Sequence, residues 1–201
     1  WGAPNWYCEL GGDNKLKVSA INISETFNYS ILKGLKFSAT AGYNTSTATR
    51  DTQQKSIEWY NYAGDQLVRT SPTDAESSYT KTNARTDFYS VSGHLEWSHL
   101  FADVHDVKVM VGSQYNMKEY EYTYIRAMGI LPSLEIPNSK DGLIYLTSDD
   151  KKTNSSKWQE AVLSYFGRAN YNYRSKYMLE GQFRYDGSSK FQPENRWAFY
   201  W

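Results

Sequence analysis

The chain has 201 residues, in which 22 Lys and Arg balance 22 Asp and Glu. That balance gives no reason to expect nucleic acid as a partner. Its single cysteine, Cys8, excludes both an internal disulfide framework and a zinc site built on cysteine pairs. Hydrophobic residues make up only 40%, yet 18 Tyr, 7 Trp and 8 Phe are present. Plentiful rings with few aliphatics suit strands, and they suit boundaries where one side of a ring is dry and the other wet. No apolar run approaches the ~18–20 residues of a transmembrane helix. The negative mean hydropathy reads as soluble only by tests that are blind to half-apolar strands. There is no initiator methionine or signal peptide, and the chain stops in mid-pattern on Phe199-Tyr200-Trp201. It is therefore expected to be a piece, with residues 1–201 forming part of one larger domain.

In chain order, the first predicted strand is the least tidy. Ile21, Ile23, Phe27, Tyr29 and Ile31 share a face, but Leu16, Val18 and Ala20 stand in the opposite phase. A bulge near Ala20, or a strand that leaves the membrane there, would explain the switch. A short link at Leu32 to Gly34 leads to Leu35, Phe37, Ala39, Ala41 and Tyr43, which alternate with Lys36, Ser38, Thr40 and Gly42. A very long link follows, from Asn44 to Arg85. Tyr89, Val91, Gly93, Leu95 and Trp97 then oppose Ser90, Ser92, His94, Glu96 and Ser98. Past a short link at Asp103 to Asp106, Val107, Val109, Val111 and Tyr115 oppose Lys108, Met110, Gly112, Gln114 and Asn116. The second long link runs from Lys118 to Lys157. Leu163, Tyr165, Gly167, Ala169 and Tyr171 oppose Ser164, Phe166, Arg168, Asn170 and Asn172. After the tight turn at Arg174-Ser175, Tyr177, Leu179, Gly181, Phe183 and Tyr185 oppose Met178, Glu180, Gln182, Arg184 and Asp186.

These segments predict about six antiparallel strands in up-and-down order. Loops beyond ~12–15 residues are uncommon in compact domains. Here short and long links alternate, so every long one emerges on the same side. Outer-membrane barrels have that asymmetry, with short periplasmic turns and long extracellular loops. One face carries no charged residue over the centres of the last five strands. A soluble carbohydrate-binding β-sandwich would also hide such a face, and it stays open as the alternative. Its core would be thin, however, because Ala39, Gly93, Gly167, Ala169 and Gly181 fall on that face.

The stretch from Tyr165 to Trp197 contains Lys176-Tyr177 before an alternating strand, then Arg184, Asp186, Gly187, Ser188, Ser189, Lys190 and Phe191, then Asn195 to Trp197. It resembles the SusC/RagA-like family of TonB-dependent outer-membrane transporters. The resemblance implies a plugged barrel of about 22 strands, located in the bacterial outer membrane and surrounded by its lipid. It implies import of glycan or peptide fragments energised by the TonB complex, and a SusD-like surface lipoprotein as lid. Plug, TonB box and remaining strands would lie outside this chain. Transport needs no catalytic nucleophile, and no cofactor is expected. Within the motif, Arg184 and Asp186 are two apart on a strand and can pair. Asp186-Gly187 reads as a turn or bulge, and the serines can bond nearby backbone. The motif is thus expected to fix a strand exit at the barrel rim.

Other motifs carry less. Ser30-Ile31-Leu32-Lys33 and Ser78-Tyr79-Thr80-Lys81 have the spacing of a serine acyl-enzyme, but one is placed at a turn and one in a long link. His94, Glu96 and Ser98 share a face without a second cluster to make a metal site. There is neither a P-loop nor a dinucleotide fingerprint. The candidate substrate-binding residues are the aromatics assigned to the long links: Trp59, Tyr60 and Tyr62, and Tyr120, Tyr122 and Tyr124. Exposed rings can stack on sugars; packing against one another in a folded cap is the competing role.

Overall fold

The computed structural model describes residues 11–71, 76–128 and 153–201. Among them are nine strands: β1 (Asn14–Leu32), β2 (Leu35–Gln54), β3 (Glu58–Tyr60), β4 (Leu67–Thr70), β5 (Ser78–Phe101), β6 (His105–Met128), β7 (Thr153–Tyr173), β8 (Tyr177–Ser188) and β9 (Trp197–Tyr200). One turn of 3-10 helix covers Pro193–Asn195. The main sheet has seven strands, ordered β1-β2-β5-β6-β7-β8-β9, while β3 and β4 pair separately as an antiparallel hairpin. Chain order and sheet order agree, so the fold is all-β, antiparallel and up-and-down. The sheet is one strand larger than expected, because β9 adds to β8.

Three turns are tight for distinct reasons. Gly34 has φ +86°, and a β-carbon there would stand 2.4 Å from the Ser98 carbonyl oxygen. Ala102-Asp103 and Arg174-Ser175 have φ between 49° and 56° at both central positions. This is the type I′ geometry whose twist matches that of antiparallel strands.

The strands run further than alternation indicates. β2 continues to Gln54 and β5 begins at Ser78; β6 continues to Met128 and β7 begins at Thr153. The expected links from Asn44 and from Lys118 are shortened accordingly. What remains of the second, residues 129–152 with Pro132 and Pro137, lies outside the described residues. The cause is visible in β2, where Tyr43 is followed on its face by Thr45, Thr47, Thr49 and Asp51. Both faces are then polar, so the periodic signal fades while the hydrogen-bonded ladder persists. Of the two explanations for the phase change near Ala20, the bulge is also corrected. Hydrogen bonds join Asn14 to Thr52, Thr26 to Thr40 and Asn28 to Ser38, which keeps one constant offset between β1 and β2.

The chain divides into two compact units. The first comprises residues up to Ser19, Ser46 to Arg85 and Tyr120 to Lys157. It holds the β3–β4 hairpin and the two buried apolar residues found among the described ones, Ile57 and Ala127. The second comprises Ala20 to Thr45, Thr86 to Glu119 and Trp158 to Trp201. It has no buried apolar side chain among its described residues. Soluble chains of this size bury roughly 70% of their surface around a core. A β-sandwich requires two inner faces packed on one another, and this unit has no such packing.

Candidate functional site

The second unit is a sheet with two unlike faces, and its register fixes which residues lie on each. Tyr165 stands opposite Tyr185, Gly167 opposite Phe183, Ala169 opposite Gly181 and Tyr171 opposite Leu179. Residues opposite one another share a face, so the apolar sets of β7 and β8 coincide. On the other face, Ser164 stands opposite Asp186, Arg168 opposite Gln182 and Asn170 opposite Glu180. β9 continues the scheme, with Trp197 and Phe199 beside Gly187 and Tyr185. For β7 and β8, the faces assigned from alternation are those of the structure.

The apolar face displays its rings openly. Phe183 is stacked on Phe199 at 6.2 Å, and Trp197 on Tyr185 at 4.8 Å. The polar face contains recesses. One of about 370 Å³ is lined by Met110, Phe166, Arg168, Gln182, Arg184 and Tyr200. A second, about 330 Å³, includes Asp106, Lys108, Asn170, Asn172 and Glu180. Guanidinium, carboxylate, amide and ammonium groups side by side suit a wetted wall that offers hydrogen bonds to a polar solute.

The Arg184-to-Phe191 motif sits at the end of β8. Arg184 Nε donates to Asp186 Oδ1 and Oδ2 at 2.8 and 2.9 Å, and its Nη2 donates to Ser164 Oγ at 3.0 Å. Ser164 is fully buried. Sequence reading missed this residue, although its place opposite Asp186 was implied by the facing alternations. Ser189 binds Ala161 twice, its N–H donating to the carbonyl at 2.8 Å and its Oγ accepting from the amide at 2.8 Å. Ser188 Oγ accepts from the Lys190 amide at 3.3 Å, and Phe191 is exposed. Lys190 forms an ion pair with Glu160. Asp186-Gly187 is not a turn, as both residues pair in register with β7 and β9. The glycine is needed for another reason: a β-carbon would lie 2.7 Å from the Trp197 ring.

The aromatic candidates fall in two places. Trp59 and Tyr60 are on β3, and Tyr62 is fully exposed in the β3–β4 turn. Arg69 covers the Trp59 ring at 5.1 Å. Tyr60 donates to Glu58 at 2.7 Å, and that hydrogen bond is the first cause of its raised pKa. Tyr120, Tyr122 and Tyr124 are on β6 rather than in a loop, half-buried and on one face by alternation. The structure does not bring the two groups into one site.

Ser30 to Lys33 spans the end of β1 and its turn, while Ser78 and Lys81 open β5, where residues three apart point to opposite faces. No group of three metal-binding side chains occurs among the described residues. No helix among them is long and apolar enough to cross a membrane, which says nothing of a β-barrel.

No protein-family model matches the chain. The TonB-dependent receptor P26 of Formosa agariphila is 23% identical over 99% of this chain and 20% of its own length. The TonB-dependent receptor SusC of Bacteroides thetaiotaomicron is 42% identical over 20% of this chain and 4% of its own. Among solved structures, the RagAB peptide importer in its open-open state gives a TM-score of 0.73 at 18% identity, covering 96% of this chain and 20% of that one. These findings define the class of protein that the chain is similar to, that of TonB-dependent receptors. Within it, the chain resembles the SusC/RagA-like TonB-dependent transporters and spans about a fifth of the length of P26 and of the importer chain.

Proposed function

We propose that this chain is a wall segment of a transmembrane barrel that imports nutrient fragments, glycan or peptide, under the TonB complex. The observation that carries the reading is the sheet with one open aromatic face, one polar recessed face and no core of its own. Lipid would cover the first, and the plugged, solvated lumen would meet the second. The turns at Gly34, Ala102-Asp103 and Arg174-Ser175 would face the periplasm, while the long links and the β3–β4 hairpin would face the medium. Tyr120, Tyr122 and Tyr124, on the β6 face that carries Gln114 and Asn116, are the aromatics best placed for a substrate in the lumen. Tyr62 is free to meet substrate or lid outside, with Trp59 and Tyr60 beside it in the hairpin. The Arg184–Asp186–Ser164 cluster and its serines would hold the β8 exit. A SusD-like lipoprotein would lie over the extracellular end. RagAB, by its description, handles peptides; SusC-type kinship leaves glycan fragments equally in view.

The test replaces residues 129–152 of the full-length protein with a short Gly/Ser turn, leaving β6 and β7 whole. Insertion into the outer membrane and TonB engagement should persist. Growth on the cognate nutrient and co-purification of the lid should both fall. If both are unchanged with the segment verifiably gone, it is a spacer and its assigned role fails.

A further inference from the structure

We propose that the β5–β6 and β7–β8 turns form a docking site for the phosphate headgroup of a phospholipid in the membrane leaflet that borders them. The proposal rests on the membrane-wall reading above. The two turns are tied together: the Arg174 amide donates to the Val104 carbonyl at 2.9 Å. That bond brings the start of β6 beside the end of β7. His105 Nδ1 lies 2.7 Å from the Tyr171 hydroxyl, and its ring packs against Tyr171 at 5.9 Å and Tyr173 at 5.1 Å. Tyr173 stacks on Tyr177 at 6.5 Å, and the Arg174 guanidinium stands over the Tyr173 ring at 5.4 Å. Tyr171, Tyr173 and Tyr177 belong to the apolar face, as their register with β8 requires.

Tyrosines of this kind belong at a membrane–water boundary, with the ring in the apolar layer and the hydroxyl among headgroups. What distinguishes this cluster is its charge. Arg174 and Lys176 are exposed and make no ion pair among the described residues. Asp103 is the carboxylate of the neighbouring turn, and Asp106 falls in the other phase of β6, where it lines the polar recess with Lys108. The turns therefore present an excess of cations beside a tyrosine hydroxyl and an imidazole. A guanidinium offers paired N–H groups that match phosphate oxygens.

The φ of Arg174, 49°, is left-handed, as are those of Ala102, Asp103 and Ser175. At that position of a type I′ turn Asn or Gly is the favourable choice, so Arg174→Asn suits the backbone.

The experiment uses the full-length protein purified in detergent, with phosphatidylglycerol and phosphatidylcholine as probes and native mass spectrometry counting retained lipid. Wild type should retain phosphatidylglycerol in preference. Arg174→Asn should lower that retention about fivefold, the effect of one basic group near a membrane surface, while Tm stays level or rises because asparagine suits the turn. His105→Phe, outside the turn's central positions, should lower it about threefold through loss of a hydrogen bond. Added inorganic phosphate should leave retention unchanged. Equal retention by wild type and both variants, or displacement by phosphate alone, overturns the proposal. Failure of the membrane-wall reading would show differently, as a full-length protein that stays folded and monodisperse without detergent.

Discussion

The β7–β8 and β3–β4 hairpins have the same antiparallel pairing and opposite surroundings. On β7 and β8, Tyr165, Leu179, Phe183 and Tyr185 point from one face and remain 39% to 72% exposed. On β3 and β4, Arg69 covers Trp59, and Ile57 before β3 is buried. The turn between them is closed by Asn61, whose Oδ1 accepts from the Asp65 and Gln66 amides. The first hairpin leaves its apolar surface for a partner that the described residues do not supply; the second satisfies much of itself locally. Exposure alone does not distinguish them, since Val68 on β4 is 65% exposed. What does is the register, which gathers the exposed rings of β7, β8 and β9 onto one continuous face.

The largest effect should come from charging that face. Phe183 lies across Gly167 and against Phe199. In the full-length barrel, Phe183→Arg should cost ~2–4 kcal/mol if the site is near the bilayer midplane. Leu179→Arg, two residues from the start of β8, should cost less because it approaches the interface. Gln182→Arg, on the polar face, and Val68→Arg, in the solvated hairpin, should each change stability by about 0.5 kcal/mol or less. Equilibrium folding into lipid vesicles measures all four. Equal losses for Phe183→Arg and Gln182→Arg would refute the assignment of faces.

A smaller effect is expected where the apolar face is tightly packed. Gly187→Ala would place a β-carbon 2.7 to 2.8 Å from three atoms of the Trp197 ring. Trp197 is stacked between Tyr165 and Tyr185, so it cannot move freely. Overpacking of this kind costs roughly 1–3 kcal/mol. The same change in a Trp197→Ala background should be nearly neutral, a coupling that a double-mutant cycle reads directly. Additive losses would mean that the ring does not set the requirement for glycine.

This glycine also shows where sequence reading stops. The faces were legible because alternation and register share a period of two, and the Arg184–Asp186 pair followed from the same rule. The in-strand role of Gly187 was not legible. Asp-Gly is a turn signal locally, and the ring that demands the glycine arrives ten residues later from β9. The upper part of β2 was hidden for a different reason, since a strand polar on both faces has no period to detect. In β6, Tyr120, Tyr122 and Tyr124 do alternate with Glu119, Glu121 and Thr123, but in the phase opposite to Val107, Val109, Val111 and Tyr115. The candidate aromatics were found by residue type, but their separation between a hairpin and a long strand depended on that undetected length.

Tyr79, at the start of β5, tests the solvated region by pH. It is 22 residues from the Phe101 end of the strand, well beyond the ~9–11 residues that cross a bilayer. Its hydroxyl donates to Asp51 Oδ1 at 2.5 Å, and its pKa is raised to about 12, first by burial and then by that bond and the Asp51 charge. The folded protein thus holds this proton more tightly than the unfolded chain, whose phenol titrates near 10. The associated stability is present below about pH 10 and is lost as pH rises to about 12. Ultraviolet titration against Tyr79→Phe should reveal one late phenol. Asp51→Asn should lower its pKa without restoring it fully, because burial remains. A full return would make the carboxylate the main cause.

The smallest expected effect belongs to the β3–β4 turn. Asn61 accepts from Asp65 N at 3.1 Å and Gln66 N at 3.3 Å, and its Nδ2 donates to Asp65 Oδ1 at 2.6 Å. Its own amide donates to the Gln66 carbonyl, and the Gly64 amide donates to the Asn61 carbonyl. One side chain therefore organises the whole turn. Asn61→Ala removes the side-chain bonds but keeps the backbone ones, and should weaken the turn by about 0.5–1.5 kcal/mol. Two-stranded hairpins are marginal alone, so that loss should appear as faster amide exchange at Gly64, Asp65 and Gln66. The β7 and β8 amides should exchange as before, because their pairing does not use this turn. Equal acceleration in β7 and β8 would mean that the hairpin and the main sheet open as one cooperative element, and the contrast between them would fail.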